Sequence, residues 1–131
     1  MWMPVLAHAE DRAPDDALRF GEDGSFTVLL LSDTQDTQFP SAYLLRSIEA
    51  IINNYEIDLV VLLGDQLEGF SPVLRLGNGA SNVEKALAYI LAPLEEAGLP
   101  FAFVYGNHDY EAPLSIERQE SLYRGYDNCM A

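Results

Sequence analysis

The sequence predicts an α/β fold with a parallel β-α-β-α-β sheet, and three observations support this. Three short apolar runs at 26–32, 57–63 and 101–105 are rich in β-favouring residues and read as strands. Two amphipathic segments with helical spacing lie between these runs. Strands this apolar that alternate with helices are typical of a parallel sheet buried on both faces. With 131 residues, the chain is long enough for one domain with its own core.

The first helix is predicted to start at Ser41. Residues 1–25 are polar and lack a sustained period, so we expect a flexible tail that closes with a turn at 22–24. Pro40 fits the first helical turn and Ser41 can cap free N–H groups. The helix should end at the two asparagines 53–54. Its apolar positions, spaced as on a helix that lies on a sheet, are Leu44, Leu45, Ile48, Ile51, Ile52 and Tyr55.

The second helix is predicted to follow a long loop. Residues 66–80 contain three glycines and a proline, and loops of this length are usually functional or mobile. Ser81 stands three residues before Glu84, which predicts a capping box at the helix start. Pro93 is expected to kink the helix, and Gly98 to end it.

The third strand is followed by a predicted loop and a short helix at about 115–123. If the strand order is 1-2-3, right-handed crossovers place both longer helices on one face of the sheet. The opposite face is also apolar, and only the tail and the last twenty residues remain to cover it. We therefore expect residues 26–131 to be the N-terminal part of a larger, truncated domain.

The composition limits the possible partners. Seven basic against 21 acidic residues give a net charge of −14, which should repel nucleic acid and anionic membranes. No apolar run approaches the roughly 18 residues of a membrane span. Cys129 is the only cysteine, which fits a reducing, cytoplasmic location, although the Ala-x-Ala at 7–9 leaves a lost signal peptide open. An acidic domain that handles phosphate would need bound cations.

Polar residues follow each predicted strand at the point where the strand ends. The sequence D-T-Q occupies 33–35, G-D occupies 64–65, and G-N-H-D occupies 106–109. Ligands of open α/β sheets bind beyond the carboxyl ends of the strands. Each motif alone is explained by a turn or a cap, but nothing about a turn requires His108. The three together, each closing an apolar strand, predict one site.

The predicted site suits a pair of metal ions. Neighbouring strands lie about 4.8 Å apart, and two ions in a hydrolytic site lie roughly 3.5–4 Å apart. Asp65, on the middle strand, is placed to bridge the two ions, with Asp33 on one and Asn107 on the other. Oxygen ligands suit manganese, magnesium, iron or zinc.

The three motifs resemble the signature D-x-H, G-D and G-N-H-[DE] of the calcineurin-like metallophosphoesterase superfamily, over roughly residues 26–125. The resemblance implies half of a four-layer α/β/β/α sandwich. It also implies a phosphoesterase with two divalent ions, in which a metal-activated water attacks phosphorus. Asp33 and Gln35 would bind the first ion, Asp65 would bridge, and Asn107 would bind the second.

The same resemblance assigns the catalytic residues. His108 would contact the phosphate and protonate the leaving oxygen, and Asp109 would orient the ring of His108. The substrate would be a phosphoester, either a small molecule (a phosphomonoester, cyclic nucleotide or phosphodiester) or a phosphoprotein.

The sequence departs from the family pattern in three places. Gln35 stands where the family usually has a histidine ligand, and a second D-x-Q follows at 36–38; the first is preferred because it lies nearer the strand end. Glu68 stands where purple acid phosphatases have a tyrosine ligand. The later G-H-x-H motif has no counterpart, since the only other histidine is His8. We therefore expect the chain to need a missing C-terminal half, and to be inactive alone.

Two other readings stay open. A degenerate α/β domain that binds without catalysis is favoured by Gln35 and the missing histidines. A receiver-type phosphoacceptor domain would need a distal lysine, but Lys85, the only lysine, lies inside the second predicted helix.

Overall fold

The computed structural model describes residues 18–130. Of the predicted tail, residues 1–17 lie outside this range. The predicted turn at 22–24 is present, closed by a hydrogen bond from Gly24 N to Gly21 O. In chain order, the elements are β1 (Val28–Leu31), α1 (Ala42–Asn54), β2 (Leu59–Leu62), a 3-10 helix (Val73–Arg75), α2 (Gly79–Glu96), β3 (Phe101–Phe103), α3 (Asn107–Glu111) and α4 (Ile116–Arg124).

The three strands form a parallel sheet in the order β1-β2-β3. Val28 pairs with Leu59 across β1 and β2, and Val60 pairs with Phe101 across β2 and β3. This confirms the predicted α/β class and parallel sheet. Because the strands are parallel and adjacent, their carboxyl ends lie along one edge of the sheet, which we call the carboxyl edge.

The helices cover one face of the sheet, as predicted. Val60, Leu62 and Phe101 on this face are fully buried and join Ile48 of α1 and Leu87 of α2 in one apolar core. The opposite face carries the alternate residues of each strand. Within residues 18–130 it stays open, with Leu30 58% and Val104 53% exposed.

A side chain caps the start of both longer helices. The cap of α1 is the predicted residue, and the cap of α2 is a different one. Ser41 caps α1 as predicted, with its side chain accepting from Leu44 N. The capping box predicted at Ser81 is wrong, because α2 starts earlier and Asn78 Oδ1 accepts from Ser81 N. Asn78 is itself a strong capping residue, and the chain reaches it first.

The longest helix, α2, runs through Pro93 to Glu96 and is followed by Gly98, which has a φ of 62°. This positive φ is the left-handed conformation that glycine adopts readily after a helix. No helix in the described part of the chain is both long enough and apolar enough to cross a membrane.

A short helix replaces the loop predicted after His108. Helix α3 starts directly after Gly106 and places His108 and Glu111 three residues apart on its surface. The predicted helix at 115–123 is present as α4, capped by Ser115. The extra helix matters for function, because it orders the residues that follow β3.

Candidate metal and phosphoester site

The loops that follow β1 and β2 run side by side at the carboxyl edge. Asp33 N donates to Gly64 O at 3.1 Å, and Gln35 N donates to Asp65 O at 3.0 Å. These bonds continue the β1-β2 pairing beyond the strands. The structure therefore brings the first and second predicted motifs together.

Three of the predicted ligands have an unusual backbone conformation. Asp33, Gln35 and Asp65 have φ values of 54°, 42° and 53°, and they are the only non-glycine residues with positive φ in the range 18–130. This conformation is costly for side chains other than Asn and Asp, and it concentrates at functional sites. Its occurrence at three predicted ligand positions makes this edge of the sheet the candidate functional site.

The second and third motifs meet through glycines that no other residue could replace without displacement. A Cβ on Gly106 would lie 2.1 Å from Asp65 Oδ1, and one on Gly64 would lie 2.5 Å from Gly106 N. The close approach lets His108 N donate to Asp65 Oδ1 at 2.8 Å. The carboxylate of Asp65 is thus held by the backbone that carries Asn107 and His108.

The carboxylate of Asp109 holds the loops after β2 and β3 together. It is 1% exposed and accepts three backbone hydrogen bonds, from Asp65 N at 2.8 Å, Gly106 N at 2.9 Å and Leu67 N at 3.2 Å. Burial raises the pKa of Asp109, while the three N–H donors act in the opposite direction. Gln119, also buried, donates to Asp109 O at 2.8 Å and ties α3 to α4.

The ring of His108 is held by Glu111, not by Asp109 as the resemblance implied. Nδ1 of His108 lies 2.9 Å from Glu111 Oε2. The oxygens of Asp109 are instead occupied by backbone N–H groups. The hydrogen bond from Glu111 raises the pKa of His108 above its usual value. Glu111 lies three residues after His108, a spacing at which side chains on a helix are neighbours. This spacing would have identified Glu111 if helix α3 had been predicted.

The segment 66–80 contacts His108 from the other side. The ring of Phe70 packs edge-on against the His108 ring, with 4.7 Å between centroids. A Cβ on Gly69 would lie 1.7 Å from His108 O, so only glycine permits this approach. Sequence reasoning expected a functional segment here, but it missed the role of Gly69.

The oxygens of the four predicted ligands are largely free of protein partners. Within residues 18–130 the side chains of Gln35 and Asn107 make no hydrogen bond, and Asn107 is exposed. Ser32 Oγ donates to Asp33 Oδ2, and His108 N occupies only Oδ1 of Asp65. This donor set fits hard or borderline divalent ions. It is sparse, since residues 18–130 contain no group of three or more His, Cys, Asp or Glu side chains placed to hold a metal.

The second D-x-Q has a structural task. Asp36 is 6% exposed and accepts from Thr37 N at 2.9 Å and from Ser41 N at 2.9 Å, so its carboxylate fixes the turn that leads into α1. Gln38 Nε2 donates to Val73 O at 2.8 Å. These contacts agree with the choice of Asp33 and Gln35 as the candidate ligands.

Three loops that meet at the carboxyl edge of a parallel sheet place the chain among α/β folds, in which ligands bind beyond the carboxyl ends of the strands. The chain belongs to the calcineurin-like phosphoesterase family, whose model matches residues 26–130. This confirms the resemblance seen in the motifs.

Two curated relatives from Arabidopsis thaliana are similar to the chain. It is 28% identical over 120 residues to "Probable inactive purple acid phosphatase 28", covering 79% of this chain and 28% of the relative. It is 30% identical over 116 residues to "Probable inactive purple acid phosphatase 14", covering 76% of this chain and 27% of the relative. The chain thus spans less than a third of the length of either relative. No solved structure matches it significantly.

Proposed function

We propose that the chain supplies the first part of a dinuclear phosphoesterase site. Asp33 and Gln35 would bind one divalent ion, Asp65 would bridge two, and Asn107 would bind the second. The observation that carries the proposal is the hydrogen bond from His108 N to Asp65 Oδ1, which joins the proposed bridging carboxylate to the loop that carries the proposed general acid. The substrate would be a phosphoester on a small molecule or a phosphoprotein.

The residues of the chain would divide the work of hydrolysis. Divalent ions, when bound, supply charge neutralisation for the phosphoryl group and an activated water. His108 would contact the phosphate and deliver a proton to the leaving oxygen from a ring nitrogen. Asp109 would act indirectly, as a positioning residue, because its three backbone contacts hold the loops of Asp65 and His108 at a fixed separation.

We further propose that the 131-residue polypeptide binds metal poorly and is inactive alone. Four oxygen-bearing side chains would leave most of the coordination of two ions, about six ligands each in oxygen sites, to water. The open face of the sheet, with Leu30 and Val104 more than half exposed, would accept the remaining half of the domain. The relatives, more than three times as long as the matched segment, have room for such a half.

The site can be tested on the 131-residue chain by paramagnetic broadening. Substoichiometric Mn²⁺ should broaden the amide signals of residues 33–35, 64–66 and 106–108 before all others. Asp65→Asn should abolish this pattern. The matched control is Asp127→Asn, an exposed aspartate in the segment that pairs with the amino end of β3, away from the carboxyl edge.

Calorimetric titration with Mn²⁺ completes the test. We expect a dissociation constant of roughly 10⁻⁴ M or weaker, as for sites with few charged ligands. Uniform broadening unaffected by Asp65→Asn would refute the site. Tight binding of two ions would instead refute the proposal that the 131-residue polypeptide binds metal poorly.

A second candidate function is binding without catalysis. Gln35 at the usual histidine position favours it, and so does the word "inactive" in the names of both relatives. Hydrolysis of p-nitrophenyl phosphate with manganese, by a longer polypeptide that contains this segment, separates the two. Manganese-dependent turnover lost in Asp65→Asn supports the phosphoesterase, and absence of turnover supports the binding module.

A further inference from the structure

We propose that Glu111 is the positioning residue for His108, holding the hydrogen on Nδ1 so that Nε2 is the nitrogen offered to the phosphoester. This inference rests on the proposed function for its meaning, but its geometry is independent of any metal. Glu111 lies outside the three motifs, and the task it takes is the one that the resemblance assigned to Asp109.

The contact itself defines which nitrogen carries hydrogen. His108 Nδ1 and Glu111 Oε2 are 2.9 Å apart, with the side chains 26% and 46% exposed. An ionised carboxylate can only accept, so Nδ1 must donate. No protein group in residues 18–130 forms a hydrogen bond with Nε2. Anchoring Nδ1 therefore leaves Nε2, on the far side of the ring, for the substrate.

The anchor is itself fixed by the segment that follows β2. The guanidinium of Arg75 donates to the backbone oxygen of Glu111 through Nη2, and through Nη1 to Gly69 O at 2.7 Å and Ser71 O at 3.2 Å. One side chain thus ties the end of α3 to the segment that carries Phe70. Because Phe70 packs on the ring and Glu111 binds its nitrogen, the two sides of His108 are set by the same connection.

The hydrogen-bond arrangement also explains why Asp109 cannot serve. Its carboxylate is buried and already accepts three backbone N–H groups, and turning it toward the ring would leave those donors unpaired. Within α3, Glu111 lies one helical turn beyond His108 on the exposed surface. The two acidic residues of α3 therefore have different contacts: Asp109 binds backbone N–H groups, and Glu111 binds the ring of His108.

The experiment is a ¹⁵N–¹H long-range correlation of the histidine rings in the metal-free 131-residue chain at pH 9, above the ordinary pKa range of histidine. Wild type should show His108 mainly as the Nδ1–H tautomer. Glu111→Ala should shift the tautomer ratio toward Nε2–H by about tenfold, the effect of losing a hydrogen bond to a charged group. Glu111→Gln, whose amide oxygen can still accept, should restore part of the ratio. The control Glu49→Ala removes an exposed glutamate from α1 and should change nothing.

The outcomes separate this inference from the proposed function. An Nε2–H signal in wild type, or a ratio unchanged in Glu111→Ala with a native amide spectrum, would overturn the role of Glu111. Should Glu111→Ala fail to fold, Glu111→Asp gives the same reading, since the shorter side chain falls short of Nδ1 without loss of charge. A failed Mn²⁺ test together with the expected tautomer shift would refute the metal site alone.

Discussion

At the carboxyl edge of the sheet, the loops after β2 and β3 differ from the loop after β1 in what holds them. His108 N donates to the Asp65 carboxylate at 2.8 Å, and the buried carboxylate of Asp109 accepts from Asp65 N at 2.8 Å and from Gly106 N at 2.9 Å. Asp33 and Gln35 are tied to the neighbouring loop by backbone bonds alone, and Asp33 is exposed. The half after β2 and β3 is therefore preorganised around two carboxylates, while the half after β1 presents two ligands of positive φ, of which Asp33 accepts only from the neighbouring Ser32 within residues 18–130.

The backbone hydrogen bonds to carboxylates at the site are thus concentrated in the loops after β2 and β3. A preorganised half keeps its geometry without metal, because buried polar groups lose free energy when they are separated. The half after β1 is fastened through Thr34, whose Oγ1 donates to Gln66 O at 3.0 Å and to Gln66 Oε1 at 2.9 Å. Within residues 18–130, however, no hydrogen bond from the loops after β2 and β3 reaches the side chain of Asp33 or Gln35. Four predictions test this contrast, in order of decreasing effect.

The largest effect is expected from Gly69→Ala. Its Cβ would lie 1.7 Å from His108 O, so backbone must move, and we expect a loss of about 3 kcal/mol in the free energy of unfolding. The control is Gly77→Ala, where no atom lies within 4 Å but φ is 64°, with an expected loss of about 1 kcal/mol. Urea denaturation measures both. Equal losses would mean that the segment 66–80 is not packed against His108.

The next effect comes from exchanging a carboxylate for an amide in each half. Asp109→Asn replaces one acceptor oxygen by an N–H donor that faces backbone N–H groups, so we expect a loss of about 2–3 kcal/mol. Asp33→Asn, at an exposed position with positive φ that asparagine tolerates, should stay within about 0.5 kcal/mol. Similar losses in urea denaturation for both variants would remove the distinction between the halves.

The sequence was sufficient for the parts of this site that local signals determine. Apolar runs followed by polar residues, with a glycine between them after the second and third runs, predicted the three strand ends, and Ser41 predicted its own helix start. These features depend on neighbours in the chain. The strand order 1-2-3 was an assumption, and right-handed crossovers then placed both longer helices on one face of the sheet.

The remainder depends on contacts between distant segments. Helix α3 is held by the contact of Asp109 with Asp65 and Leu67, more than forty residues earlier. No local pattern reports that Asp109 is buried, so the loop predicted there was wrong and Glu111 was overlooked. Gly69 likewise looked like an ordinary loop glycine, since its requirement comes from His108 O across the site.

The half after β1 should gain from a stronger ligand. Gln35→His introduces an imidazole at a position with φ 42°, a conformation that histidine adopts more readily than most residues. We expect Mn²⁺ or Zn²⁺ affinity, measured by calorimetry, to rise roughly tenfold, the scale on which changes around metal ligands act. The control Gln38→His lies in the structural D-x-Q, where Nε2 bonds Val73 O, and should not raise affinity. A gain with Gln38→His alone would move the site to 36–38.

The smallest effect on stability at neutral pH is expected from Tyr123, which packs on Phe103 of β3. Tyr123 is 2% exposed, stacks on Phe103 at 4.3 Å between centroids, and burial raises its pKa well above the usual value. The folded chain therefore keeps this phenol neutral while the unfolded chain ionises it near pH 10. Stability that is complete below that pH should fall above it, by about 1.4 kcal/mol per pH unit for this group. Tyr123→Phe should remove that part of the slope in urea denaturation between pH 10 and 11, whereas Tyr55→Phe, at a 67% exposed position, should leave it. An unchanged slope in Tyr123→Phe would mean that solvent reaches the Tyr123 hydroxyl in the folded chain, and that the packing of Tyr123 on Phe103 does not hold β3 in place.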